Sequence, residues 1–223
     1  MGKRMLGGLL LVVCLLGLGG CVFGSVDEMY ALPKSSEAYV NLQAKINEEK
    51  GTGEYIAPLN GENRQTIQLV DVDEDGLQEA VAFFRDADAD TPLRIVIFKQ
   101  DDQGEYQVYA RIQGVGSEID SIEYVNLGGA GESDVLVSWQ AGSSLRTLVG
   151  YTITDGQPTE IMRSAYDRYL TADLDGDGQE EVVLAQAEEE SSSTRIEYYD
   201  SRDGVLTLTA TSPLSDGTTD ISS

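Results

Sequence analysis

Two stretches of this chain place side-chain oxygens at alternate positions around a glycine. Asp71-Val-Asp73-Glu-Asp75-Gly76-Leu77-Gln-Glu79 offers carboxylates at loop positions 1, 3, 5 and 9 with Gly76 at position 6, and Asp173-Leu-Asp175-Gly-Asp177-Gly178-Gln179-Glu-Glu181 repeats the pattern. In a tight loop, alternate residues aim at one centre, glycine permits the sharp turn, and the position 7 carbonyl, from Leu77 or Gln179, completes an oxygen cage. Hard oxygens in that number suit Ca2+ better than Mg2+ or zinc. The expected ligands are therefore Asp71, Asp73, Asp75, Leu77 and Glu79 in one loop, and Asp173, Asp175, Asp177, Gln179 and Glu181 in the other. The role expected of the ion is rigidity. Four crowded carboxylates repel by about 1 kcal/mol per pair even in a water-like dielectric. At millimolar calcium, a Kd of ~10⁻⁴ to 10⁻³ M adds about 0.4 to 1.4 kcal/mol per site. The plainer alternative is an Asp-Gly turn without metal.

A helix-loop-helix calcium site also begins D-x-D-x-D-G, but it needs an acid at position 12 and a helix on each side. Position 12 here is Ala82 or Leu184, and both loops run straight into apolar β sequence, AVAFF and VVLAQ, leaving position 9 as the closing acid. A third, worn copy lies between them. In YVNLGGAGESDVLVSW, Asn126, Gly128 and Ala130 stand where the first three acids would be, and only Asp134 keeps position 9. No metal is expected there, although Gly128, Gly129 and Gly131 can preserve the turn. Asp86, Asp88 and Asp90 also alternate, but no glycine follows them and Pro92 leads into a strand, so they read as a solvated hairpin tip. Glu188, Glu189 and Glu190 occupy the equivalent hairpin and read the same way.

These loops belong to a repeat. Loop starts fall at Asp71, Asn126 and Asp173, steps of 55 and 47 residues. A second register agrees: Arg94, Arg146 and Arg195 align, as do Phe98, Tyr151 and Tyr199 to within one residue, and then Gly104, Gly156 and Gly204. Each unit reads as loop, strand, polar hairpin, strand, glycine turn, strand, and a short strand entering the next loop, about one four-stranded blade. The aligned arginines can pair with acids between blades or face water, and Trp139 reads as core. Ahead of the repeats, Ser35 to Lys50 reads as one helix, capped by Ser35 or Ser36, with Tyr39, Leu42 and Ile46 on one face and Gly51 as its stop. Tyr55 to Asn63 reads as a linker that can supply a strand from outside the repeat.

The units resemble FG-GAP or VCBS repeats, the blades of integrin α-type β-propellers, over roughly residues 60 to 223. That resemblance implies an all-β fold in which blades ring an axis, most often seven of them. Residues 52–223 supply three units and a part, ending inside a repeat, as a fragment of a larger propeller would.

The chain opens with Lys3 and Arg4, an apolar run from Leu6 to Leu18, and small residues before Cys21. That is the pattern of a signal peptide over 1–20, shorter than the ~20 apolar residues of a spanning helix. Leu18-Gly19-Gly20-Cys21 resembles a bacterial lipobox, which implies lipidation at Cys21 and a tether over 21–34; an ordinary signal peptide or an uncleaved anchor are the alternatives. Cys14 would be removed with the leader, leaving no partner for a disulfide. Two acyl chains suffice for durable attachment, so the expected place is the outer face of a cell membrane. The aspartate that simplest inner-membrane retention uses is absent at Val22, and a Gram-positive surface is the preferred reading.

A formal charge of −24 disfavours nucleic acid and anionic lipid as partners. The absence of histidine removes the commonest general base and transition-metal ligand. No Ser/His or Cys/His pairing stands out, and the acids are already engaged as ligands. The expected function is therefore a non-enzymatic binding or adhesion-type module with structural calcium, presenting a rigid face to a protein or glycan. The alternative is a polysaccharide-active or other hydrolytic propeller enzyme.

Overall fold

The computed structural model describes residues 37–73, 75–128, 133–142, 145–188, 193–202 and 205–214. The leader, Cys21, the tether, the Ser35/Ser36 cap, Ala130 with its flanking glycines, Glu189, Glu190, Gly204 and the last stretch from Ser215 lie outside the described residues.

Among the described residues there is one helix, α1 (Glu37–Lys50), followed by thirteen strands. Glu37 in its first turn and Lys50 in its last both oppose the helix dipole. Gly51, at φ +54°, takes the left-handed conformation just past the helix and bonds back to the Asn47 carbonyl at 3.2 Å. Leu42 and Ile46 are buried, but Tyr39 is 48% exposed, contrary to its expected place beside them. The buried stripe runs through Ala38, Leu42 and Ile46 at a spacing of four, which turns Tyr39 to the edge of the contact.

The strands form three antiparallel sheets, none closed on itself. The first contains β1 (Glu54–Tyr55), β2 (Ile67–Val70), β3 (Glu79–Arg85), β4 (Leu93–Gln100) and β5 (Tyr106–Gln113). β1 and β2 lie end to end on one edge of β3, pairing with Phe84–Arg85 and Glu79–Ala82 respectively. The second is the meander β6 (Glu118–Val125), β7 (Ser133–Ala141), β8 (Leu145–Thr154), β9 (Gln157–Ala165), and the third is β10 (Arg168–Ala172), β11 (Glu181–Glu188), β12 (Ser193–Arg202), β13 (Val205–Leu214). The strand entering each loop therefore belongs to the sheet that follows. It does not close the sheet before it, as the sequence grouping had it. Gly114 marks the first crossing, because a β-carbon there would sit 2.5 Å from the Trp139 ring. The linker does more than connect: beyond β1, Leu59 and Asn60 bond to Ile119 and Asp120 of β6 at 3.1 and 2.7 Å.

The internal repeat extends to irregularities of the backbone. The pairings β4–β5, β8–β9 and β12–β13 each carry one register shift, at Ile97/Phe98, Gly150/Tyr151 and Tyr198/Tyr199, where the sequence aligns its aromatic residues. A bulge of this kind adds local twist to its sheet.

Alternation along β3, β7 and β11 shows how the sheets stack. Val135, Val137 and Trp139 face the first sheet, packing with Val81, Phe83, Ile95 and Ile97. Val182 and Leu184 face the second sheet, against Leu136 and Leu148. The matching residues of the first sheet, Ala80, Ala82 and Phe84, face α1. α1 thus stands where a preceding sheet would stand. Burial on both faces makes β3 read as a continuous apolar run, without period-two alternation.

The aligned arginines make separate local contacts. Arg94 reaches Asp86 at 3.0 Å and Glu49 of α1 at 3.4 Å, and Arg111 holds the same Glu49 through two bonds of 2.9 and 2.6 Å. These bonds, chiefly the one from Arg111, hold the Glu49 carboxyl below its ordinary range. Arg146 donates to the Asp167 carbonyl at 2.8 Å and lies 5.2 Å from the centre of the Tyr166 ring. Arg195 pairs with Glu197 at 3.2 Å and bonds Gln186.

Candidate metal centre

The repeated loop joins β2 to β3 in the first sheet, β6 to β7 in the second and β10 to β11 in the third, so the three loops occupy the same end of their sheets. Each is closed by one hydrogen bond from its second residue to its ninth. Glu79 accepts from the Val72 N–H at 2.8 Å, Asp134 from Leu127 at 3.0 Å and Glu181 from Leu174 at 2.6 Å. The three carboxylates are buried, with Glu79 and Glu181 each 1% exposed. The position 9 acid therefore braces the hairpin whether or not the remaining acids are present.

The early acids organise the turns. Asp71 accepts from the Gly76 N–H at 3.0 Å and Asp75 from Leu77 at 2.8 Å. Asp173 accepts from Gly176 and Gly178 at 2.7 and 3.1 Å, Asp175 from Asp177 at 3.1 Å and Asp177 from Gln179 at 2.8 Å. Gly76 and Gly178, at φ +88° and +89°, hold the left-handed backbone that position 6 requires. Leu77 and Gln179 enter through these N–H groups, and the Gln179 side chain also donates to Asp177 at 3.1 Å.

The two acidic loops bring their oxygens together unequally. In the third sheet Asp173, Asp175, Asp177 and Glu181 each place one carboxylate oxygen within 4.8 Å of all the others, whereas in the first sheet only Asp71, Asp73 and Glu79 do so. Asp75 is drawn instead to Lys99, whose ammonium lies 3.2 Å from it and also bonds Asp73. Burial works against the charge on Lys99, but those two carboxylates outweigh it and its pKa lies above the ordinary value. The Leu77 N–H, with Lys99 second, holds Asp75 below the usual carboxylate range. Glu79 is pushed up, first by burial and then by Asp73 and Asp75, and Glu181 is pushed up by burial with Asp175, Asp200 and Asp173 adding to it.

An oxygen-seeking cation fits both donor sets. Glu79 Oε1 and Asp71 Oδ1 are buried without a hydrogen-bond partner, a costly state that a bound cation relieves. The third-sheet set is the more complete, and among the described residues no lysine or arginine pairs with any of its four acids.

Asn126 and Gly128 of the middle loop dock on the third sheet. The Asn126 side-chain amide donates to the Gly178 carbonyl at 3.2 Å, its backbone N–H donates to Glu180 Oε2 at 3.2 Å, and its carbonyl accepts from the Glu180 N–H at 2.7 Å. Ser201 bonds the Gly128 carbonyl at 3.2 Å. The residue that ends the acidic pattern thus secures the neighbouring acidic loop. Asp86 caps its own hairpin, accepting from Arg94, and among the described residues it joins no group of converging acids.

The sequence reading missed Lys99, Asp200 and this use of Asn126. Lys99 and Asp200 each follow the aligned aromatic, Phe98 or Tyr199, but only the ladder reveals that this position borders the loop.

No family model matches the chain, and no curated protein matches it. Among solved structures, the exotype rhamnogalacturonan lyase YesX is similar over 71% of this chain and 35% of its own, with 14% sequence identity and a TM-score of 0.39. The chain thus spans about a third of that structure's length.

Proposed function

We propose that this chain is a lipid-anchored, extracytoplasmic binding module on which calcium rigidifies a row of FG-GAP/VCBS-type blades, attached through Cys21 at a cell surface and presenting a fixed face to a protein or glycan. The observation that carries the reading is the convergence of the Asp173, Asp175, Asp177 and Glu181 oxygens within 4.8 Å. Like charges at that separation repel, and a divalent cation with oxygen ligands converts the repulsion into coordination. The recurrence of loop, closing bond and bulge in each sheet supports the blade reading. Among the described residues no helix is long and apolar enough to cross a membrane.

A cleft supports a presented face. The Trp139 indole fills the junction of the first two sheets, but its register equivalent in the third sheet is Gln186. There a cleft of about 550 Å³ remains, bordered by Arg146, Tyr166, Asp167, Gln186 and Arg195. The guanidinium and amide groups there are of the kind that hydrogen-bond hydroxylated ligands.

The test is isothermal calcium titration of the purified chain, beside thermal melts in calcium and in EDTA, for wild type and Asp175→Ala. Binding that disappears in the variant, with a melting point that EDTA lowers only in wild type, supports structural calcium. No binding heat and no EDTA effect in folded wild-type protein overturns it.

A further inference from the structure

We propose that the residue beside each closing acid on the neighbouring strand decides whether its loop takes a metal, and that in the first loop the ammonium of Lys99 holds the metal's place. This rests on the calcium reading above. The ladder pairs Ala80 with Phe98, Val135 with Tyr151 and Val182 with Tyr199, equivalent positions in the three sheets. One residue further toward the loops, the first strand of each couple carries Glu79, Asp134 or Glu181, and the second carries Lys99, Thr152 or Asp200. The deciding position therefore holds a cation, a neutral hydroxyl and an anion in turn.

Each choice matches its loop. Lys99 bonds Asp73 and lies 3.2 Å from Asp75, with its ammonium 5.7 Å from the centre of the Tyr109 ring. Asp73 is nearly enclosed, its side chain 6% exposed, so this contact occupies the interior of the loop. A monovalent group with three donors cannot serve six or seven oxygens. Glu79 Oε1 and Asp71 Oδ1 accordingly stay buried without partners. Thr152 accompanies the loop whose first acid is replaced by Asn126. Asp200 falls opposite Glu181 in the ladder, one step beyond the Val182–Tyr199 pair, and its ion pair is with Arg202 at 3.5 Å, a side chain 62% exposed. The third loop thus gains negative charge where the first loses it. Calcium entering the first loop must displace a tethered ammonium, and calcium entering the third need not.

The test is calcium titration of the full chain as wild type, Asp175→Ala, Lys99→Gln, and the double variant, with circular dichroism verifying each fold. One strong site is expected in wild type and none in Asp175→Ala, with any first-loop binding at least tenfold weaker. Lys99→Gln is expected to bind two ions, and the double variant one. A strong site surviving in Asp175→Ala, where Lys99 is untouched, overturns the proposal even if the lysine variant fails to fold. So does a folded Lys99→Gln that gains nothing while wild type binds one ion, which leaves the calcium reading standing. Absence of binding in all four variants removes the calcium reading and this proposal together.

Discussion

Glu79 Oε2 stands 2.8 Å from the N–H of Val72, fastening the last acid of its loop to the second residue. Asp134 does the same for Leu127 in the loop that has lost its other acids. A carboxylate retained without its fellow ligands serves the hairpin itself. Asp134→Ala removes the acceptor and strands a buried N–H, a loss of about 1 to 3 kcal/mol. In a chain of this size that lowers the melting point by roughly 2 to 12 °C. Trp139 is the single tryptophan and is buried among the first two sheets, so its fluorescence reports the transition. Calcium titration of the variant should match wild type.

The raised pKa values of Glu79 and Glu181 set a pH dependence whose sign follows from linkage. Both carboxyls titrate above their ordinary 4.5 in the folded chain, chiefly because burial disfavours the charge. Between 4.5 and those raised values the folded state binds more protons than the unfolded one, so the metal-free protein gains stability as pH falls. The gain is complete below 4.5 and is lost as pH rises through the folded values. Glu49, held low chiefly by Arg111, acts oppositely, but its contribution stays intact above its unfolded value and falls away only in stronger acid. Melts in EDTA should therefore rise as the pH falls toward 4.5. With calcium present the proton competes with the ion, so the gap between calcium and EDTA melts should narrow over the same range. An EDTA melt that falls steadily as the pH approaches 4.5 from above would contradict this account.

What could be read from the sequence follows from which forces are local. The loops, the repeat and the β class were legible because carboxylate spacing, glycine turns and apolar runs are written within short windows. Sheet membership was not: the strand Glu118–Val125 continues directly from the loop after β5, and only pairing with β7 assigns it to the second sheet. Tyr39 was misplaced because a helical stripe read at spacings of three and four does not say which of its edges meets the sheet. Lys99 escaped because its meaning depends on a partner 26 residues earlier, brought near by the β3–β4 hairpin. Asn126 looked like decay of a ligand position, when its amide is the donor that the next loop's carbonyl requires.

That last contact separates two explanations of the middle loop. If Asn126 is merely a lost ligand, Asn126→Asp restores part of a calcium loop and costs nothing. If it is a brace, the substitution removes the donor to Gly178 O and sets a new carboxylate beside Glu180, whose own pKa is already raised by burial, with Glu123 and Asp173 adding to it. The second outcome is expected: a loss of about 1 kcal/mol, since the contact is exposed and water replaces part of it, together with weaker calcium binding by the Asp173 loop. Asn126→Ala should lose the bond without the repulsion, so only the Asn126→Asp deficit should shrink as salt is raised. Melts of both variants at low and high sodium chloride, beside calcium titrations, make the comparison. A gain in calcium stoichiometry for Asn126→Asp would favour the lost ligand over the brace.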